Sequence, residues 1–214
     1  MRTLYHFQNS PFSRRARLAL AHKGLDCALR DGRDDPAALE EARRLVPFRT
    51  LPVLIDGTHA LADSGAISHW LDRAYPAAPH LWPDGEGSDE AFGAAALVDV
   101  VLSNVVDTGT RYYALHEHPA WEKVKTEQVG RAQQAAQSLA ERVSSLGRPT
   151  MAASGWSAAD IWVLTMTIWF EGMPARAAVS PNIAQILTLG FVLPPALSRW
   201  VDAHRERPDV RALG

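Results

Sequence analysis

The chain has 214 residues, 47% of them hydrophobic and 21% charged, an ordinary composition for a soluble protein with apolar material for one large or two small domains. Its 22 basic and 24 acidic residues nearly cancel, to -2, and form neither a basic stripe nor a long like-charge block, which argues against a nucleic-acid partner. The single cysteine, Cys27, excludes an internal disulfide, a CxxC redox pair and a thiolate-rich zinc site.

Thr3 to Phe7 alternate as a strand. Phe12, Ala16, Ala19 and Leu20 then recur at helical spacing up to Lys23-Gly24, a cation followed by a glycine stop. Residues 25 to 30 read as a second strand, which makes Cys27 a buried small hydrophobe. Leu39, Ala42, Leu45 and Val46 predict a second helix closed by Pro47, and Leu51 to Ile55 a third strand. Asp56-Gly57 before His59-Ala60-Leu61 is a hairpin signal. Ile67, Trp70, Leu71 and Ala74 predict a third helix with Asp63 and Ser64 as caps, so the order is β-α-β-α-β-β-α.

The stretch PAAPHLWPDGEGS, residues 76 to 88, is rich in proline and glycine and reads as a linker. Beyond it only helices are expected, over roughly 89–118 and 120–146, from Ser157 onward, and around 180–190 and 195–207. Ser157 and Asp160 have the spacing of a capping box. The predicted division is a first domain over 1–77, a linker over 78–88 and an all-helical domain over 89–214. The start of the chain lacks a signal peptide's apolar middle, and no apolar run approaches the length of a membrane span, so a cytoplasmic protein with no membrane partner is expected.

Three places carry candidate chemistry. Ser10 before Pro11 is a good helix cap, but the helix starts directly after the first strand, where its amides and dipole favour an anion. Arg14, one turn in, adds positive potential or is simply solvated. Pro52 heads a strand and so belongs at an edge or first position; the sequence alone favours the trans isomer. Asp63-Ser64 is a polar pair at another strand-to-helix junction, fit for capping or for a ligand. His116-Glu117-His118 has the wrong spacing for both rings to share a helix face, so no metal site is expected.

The order SPFSRRARLALAHKGL, LPVL, DSGAISHWL and SAADI resembles the cytosolic glutathione transferases over nearly the whole chain. The resemblance implies an α/β plus all-α protein: a thioredoxin-like βαβαββα domain followed by an α-helical bundle domain. It further implies a glutathione S-transferase active in detoxification, with glutathione as co-substrate and Ser10 serving its sulfur. Ser13 would stand at the second position of the related CxxC step. Leu51, Pro52 and Val53 would flank the cysteinyl backbone, Asp63 and Ser64 the γ-glutamyl end, and Thr50 or Arg49 the glycine carboxylate. Phe12, Tyr112 and Tyr113 are expected at the pocket for a hydrophobic electrophilic small molecule. A homodimer is implied, and a disulfide reductase, an isomerase or a noncatalytic binding protein of the same fold remain alternatives.

Overall fold

The computed structural model describes residues 1–46, 50–85 and 87–212. Strand β1 (Arg2–His6) leads into helix α1 (Pro11–His22), followed by β2 (Ala28–Asp31), α2 (Pro36–Leu45), β3 (Val53–Asp56), β4 (His59–Ala62) and α3 (Ser64–Ala74). This is the βαβαββα order the sequence predicts. The sheet runs β2-β1-β3-β4. The α1 crossover makes β2 parallel to β1, whereas the tight turn at Gly57, with φ 59°, makes β3 and β4 antiparallel. Leu4 on β1 faces Leu29 on one side and Leu54 on the other, so β1 lies inside the sheet.

The boundaries differ where local polar groups decide them. Helix α2 begins at Pro36 because the Asp35 carboxylate accepts from the Ala38 amide at 3.0 Å; Pro47, the expected stop, lies outside the described residues. Strand β2 begins one residue after Cys27, so Cys27 is not a strand residue and is only half-buried.

The remaining helices are α4 (Ser88–Leu115), α5 (Trp121–Ser145), α6 (Ala158–Glu171), α7 (Met173–Ala177), α8 (Pro181–Leu187), α9 (Pro195–Asp202) and α10 (Pro208–Arg211). The pattern expected over 195–207 breaks at Asp202, and the single turn α7 is not foreseen because it follows α6 with only Gly172 between them. One expectation needs correcting: α4 is long and apolar enough by composition to cross a membrane. Its Ala94, Val98, Val101, Leu102 and Val105 are buried, packed with α5 and α6 in the protein core.

Asp160 is completely buried at the start of α6 and accepts from the Ser157 amide (2.8 Å), the Ser157 hydroxyl (2.7 Å) and the Met151 amide (2.7 Å). Burial pushes its carboxyl pKa up, against these hydrogen bonds.

The expected linker is largely docked. Asp72 on α3 accepts from the Leu81 amide (2.9 Å) and the Trp82 amide (2.8 Å) and pairs with Lys23 at 2.8 Å. The Leu81 carbonyl in turn accepts from the Ala158 amide at 2.7 Å. Leu81 is 0% and Trp82 8% exposed, and both belong to one core running from Leu4 and Leu18 through α4 and α6. A smaller core, with Tyr5, Ala38, Ala42 and Val53, gathers against α2.

Candidate active site

Ser10 sits where β1 hands over to α1. Its amide donates to the Phe7 carbonyl at 3.1 Å, which closes the turn. Its side-chain oxygen accepts from the Ser13 amide at 3.3 Å, so it is an N-cap, with Pro11 at the first helical position. A hydroxyl that accepts still has its own proton to give, and among the described residues Ser10 gives it to no protein acceptor. The structural and the chemical use of Ser10 are therefore compatible.

Ser10 opens into a cleft of about 470 Å³. Phe7, Pro11 and Phe12 form one wall and Val106, Trp169 and Ile183 the other, with Arg33 and Arg176 also facing in. The structure thus brings Ser10 and Phe12 to a common space between the two halves. Tyr112 and Tyr113 are not in its lining: the Tyr112 ring stacks on His116 (4.6 Å) and meets Trp121 edge-on (5.6 Å), while Tyr113 is 56% exposed. Ser13 is completely buried, and its oxygen accepts from the Phe7 amide at 3.1 Å, bracing the turn from behind.

The Leu51-Pro52 peptide is cis, against the trans isomer favoured by sequence. Pro52 leads directly into Val53, which lies in β3 between Tyr5 and Ala62. Thr50 is exposed; Arg49 lies outside the described residues.

At the head of α3, Asp63 is held at φ 74°, a conformation costly for a residue with a side chain. Its carboxylate accepts from the Gly65 and Ala66 amides at 2.8 and 3.0 Å. Ser64 is 2% exposed, and its hydroxyl has no hydrogen-bond partner among the described residues. An unsatisfied buried hydroxyl at a helix N-terminus is costly in a closed core and useful beside an anionic ligand.

Two arginines escaped the sequence analysis. Arg15 is 2% exposed, donates to Asp99 at 2.6 Å and lies 4.4 Å from the Trp162 ring centre. Burial pulls its pKa down, while Asp99 and then Asp63 oppose the shift. Arg176 donates from Nε to the Gly172 carbonyl (3.0 Å), from Nη1 to the Asn9 carbonyl (3.2 Å) and from Nη2 to the Trp169 carbonyl. It ties α6 and α7 to the residue before Ser10. Arg14 is buried rather than solvated; it reaches the Asn9 side chain at 3.4 Å, and burial lowers its pKa. The alternation of arginines with apolar residues in SRRARLAL was the visible signal for Arg14 and Arg15; Arg176, so far along the chain, left none.

Residues 4–79 match the family model of the glutathione S-transferase N-terminal domain. A probable glutathione S-transferase GSTU1 of Oryza sativa subsp. japonica is 32% identical over 124 residues, 54% of this chain and 52% of that protein. A maleylpyruvate isomerase of Ralstonia sp is 34% identical over 99 residues, 44% of this chain and 46% of that protein. The chain spans about half the length of these curated relatives. The crystal structure of a glutathione S-transferase from Methylobacillus flagellatus with GSH bound aligns with a TM-score of 0.73 at 23% identity, covering 100% of this chain and 99% of that one.

Proposed function

We propose that the chain is a cytosolic glutathione S-transferase, since residues 4–79 match that family's N-terminal domain and the whole chain shares the fold, and that it binds glutathione beside Ser10 and activates the thiol for attack on an electrophile. The observation that carries this reading is the Ser10 hydroxyl, fixed as a cap yet free to donate, at the wall of the cleft. A free thiol has a pKa of about 8.5. A hydrogen bond to the charged sulfur is worth about 2 kcal/mol and the helix end about 0.5 kcal/mol. At about 1.4 kcal/mol per unit, those two together lower the pKa by roughly 2 units, which makes thiolate the main species at neutral pH.

The rest of the tripeptide has fitting partners. The Ser64 hydroxyl, at the head of α3, suits the γ-glutamyl end, while Asp63 is already engaged by the Gly65 and Ala66 amides and Arg15 by Asp99. Val53 is flanked by Tyr5 and Ala62 in the sheet, so Leu51, ahead of Pro52, is the position left to meet the cysteinyl backbone, and Thr50 suits a contact to the glycyl carboxylate. With serine at 10 and 13, this site holds no protein thiol, so exchange through the protein's own sulfur does not occur here. We read the working form as a homodimer in a glutathione-rich compartment such as the cytoplasm; sedimentation tests the assembly.

A second reading, isomerisation, is favoured by the maleylpyruvate isomerase among the relatives. The same thiolate would add to a conjugated double bond and leave again with its electron pair, so glutathione is regenerated; conjugation consumes it. Measuring free thiol before and after turnover separates the two.

The decisive experiment pairs Ser10→Ala with Ser10→Gly. Alanine removes both the cap and the donor; glycine removes the donor but costs the cap only a few tenths of a kcal/mol. Both variants should lose the ultraviolet mercaptide band of bound glutathione and fall about 10- to 100-fold in kcat/KM, whereas only alanine should lower stability, by about 1 kcal/mol. Full activity in Ser10→Gly would reduce Ser10 to a cap.

A further inference from the structure

The cleft is not purely apolar. Arg33, following β2, and Arg176, on α7, bring one guanidinium from each half into its lining, and among the described residues no aspartate or glutamate lines it. Neither arginine is in an ion pair among the described residues. Arg176 is anchored on the carbonyls of Gly172, Asn9 and Trp169, one bond from each of its nitrogens. That uses three of its N–H groups and leaves one on each terminal nitrogen without a partner among the described residues. Burial and the nearby charges of Arg14 and Arg33 all depress its pKa, so three cations share this corner. Carbonyls fix the direction of such a group but leave its charge uncompensated. A carboxylate supplies the missing charge, and a pre-oriented guanidinium is its best-matched donor.

We propose that the electrophile bound in this cleft carries a carboxylate, seated on Arg176 and Arg33, while its apolar body rests against Phe12, Val106 and Trp169. This rests on the transferase reading and narrows it from hydrophobic electrophiles in general to organic acids. Glutathione's glycyl carboxylate has the same chemistry, so the test separates the two sources.

The test compares a chlorodinitrobenzoate with its methyl ester, each rate divided by that of the uncatalysed reaction with glutathione. In both, the sulfur forms a bond to the chlorine-bearing ring carbon, chloride leaves with the bonding pair, and the thiol proton passes to solvent. The protein should prefer the acid over the ester by about tenfold or more in kcat/KM, and Arg176→Ala or Arg33→Ala should each cut that ratio about tenfold. Arg33→Ala keeps the test intact if loss of Arg176 unfolds the protein, because the Arg33 side chain holds no hydrogen bond among the described residues. No preference for the acid, an unchanged ratio in the variants, or a rise in the KM for glutathione with the ratio unchanged would overturn the proposal. If neither compound is turned over, equilibrium dialysis of both still decides: acid-selective binding that depends on Arg176 keeps the carboxylate site and rejects the transferase reading. Turnover of acid and ester alike rejects the site and keeps the transferase.

Discussion

Gly109, on α4, leaves the least room for a side chain of the described glycines. A Cβ added there would lie 2.3 Å from Ile186 Cγ1 and 3.2 Å from its Cδ1. Carbon atoms settle at about 3.5 to 4.0 Å, so Gly109→Ala requires a shift of about 1 Å or more. Ile186 is 6% exposed and β-branched, so it cannot simply rotate away; α8 must move. Alanine gains about 0.8–1.0 kcal/mol in helix propensity, against roughly 1–3 kcal/mol for overpacking. The clash should win by about 1 kcal/mol, lowering Tm by about 2–4 °C in a protein of this size. Urea titration of Gly109→Ala, Ile186→Ala and the double variant checks this, because the double should recover about 1–2 kcal/mol relative to the sum of the singles. Since α8 carries Pro181 and Ile183 of the cleft lining, Gly109→Ala should also raise the KM for the electrophile. A higher urea midpoint for Gly109→Ala, with additive singles, would refute the reasoning.

Ser64→Ala should leave the free protein at least as stable, because it deletes an unsatisfied hydroxyl, yet weaken glutathione binding about tenfold by calorimetry; unchanged affinity would remove Ser64 from the site. Asp160→Ala strands three buried donors and should cost about 3–5 kcal/mol, read as a lower thermal midpoint; a loss under about 1 kcal/mol would mean the donors find other partners. Burial pushes the Cys27 thiol up to about 11. An acid with a raised pKa stays protonated to higher pH, so at pH 8 its thiolate is about a hundredfold scarcer than in the unfolded chain. Alkylation by iodoacetamide should be slowed to match and accelerate about tenfold per pH unit towards 11; equal rates in folded and denatured protein would contradict this.

The first half was largely legible because its signals are local. The cap at Ser10-Pro11, the Asp56-Gly57 turn and the periodicity of α1 and α3 each depend on residues a few positions apart. What the sequence hid depends on distance. Arg176 and Asn9 are 167 positions apart, and no short window contains both. Tyr112 looked like a pocket residue because aromatic side chains suit ligands, but His116 and Trp121 on its own side of the fold claim its ring.

The contact between Asp72 and residues 81–82, continued through Leu81 to Ala158, has a consequence for engineering. The join between the halves is a seam stitched from both sides, not a tether. Recombining the first half with a foreign helical half at this point would strip Asp72 of its amides and leave Lys23 facing a bare carboxylate. A working chimera has to carry Lys23, Asp72, Leu81, Trp82 and the start of α6 together, and calorimetry of the parent should record a single endotherm rather than two.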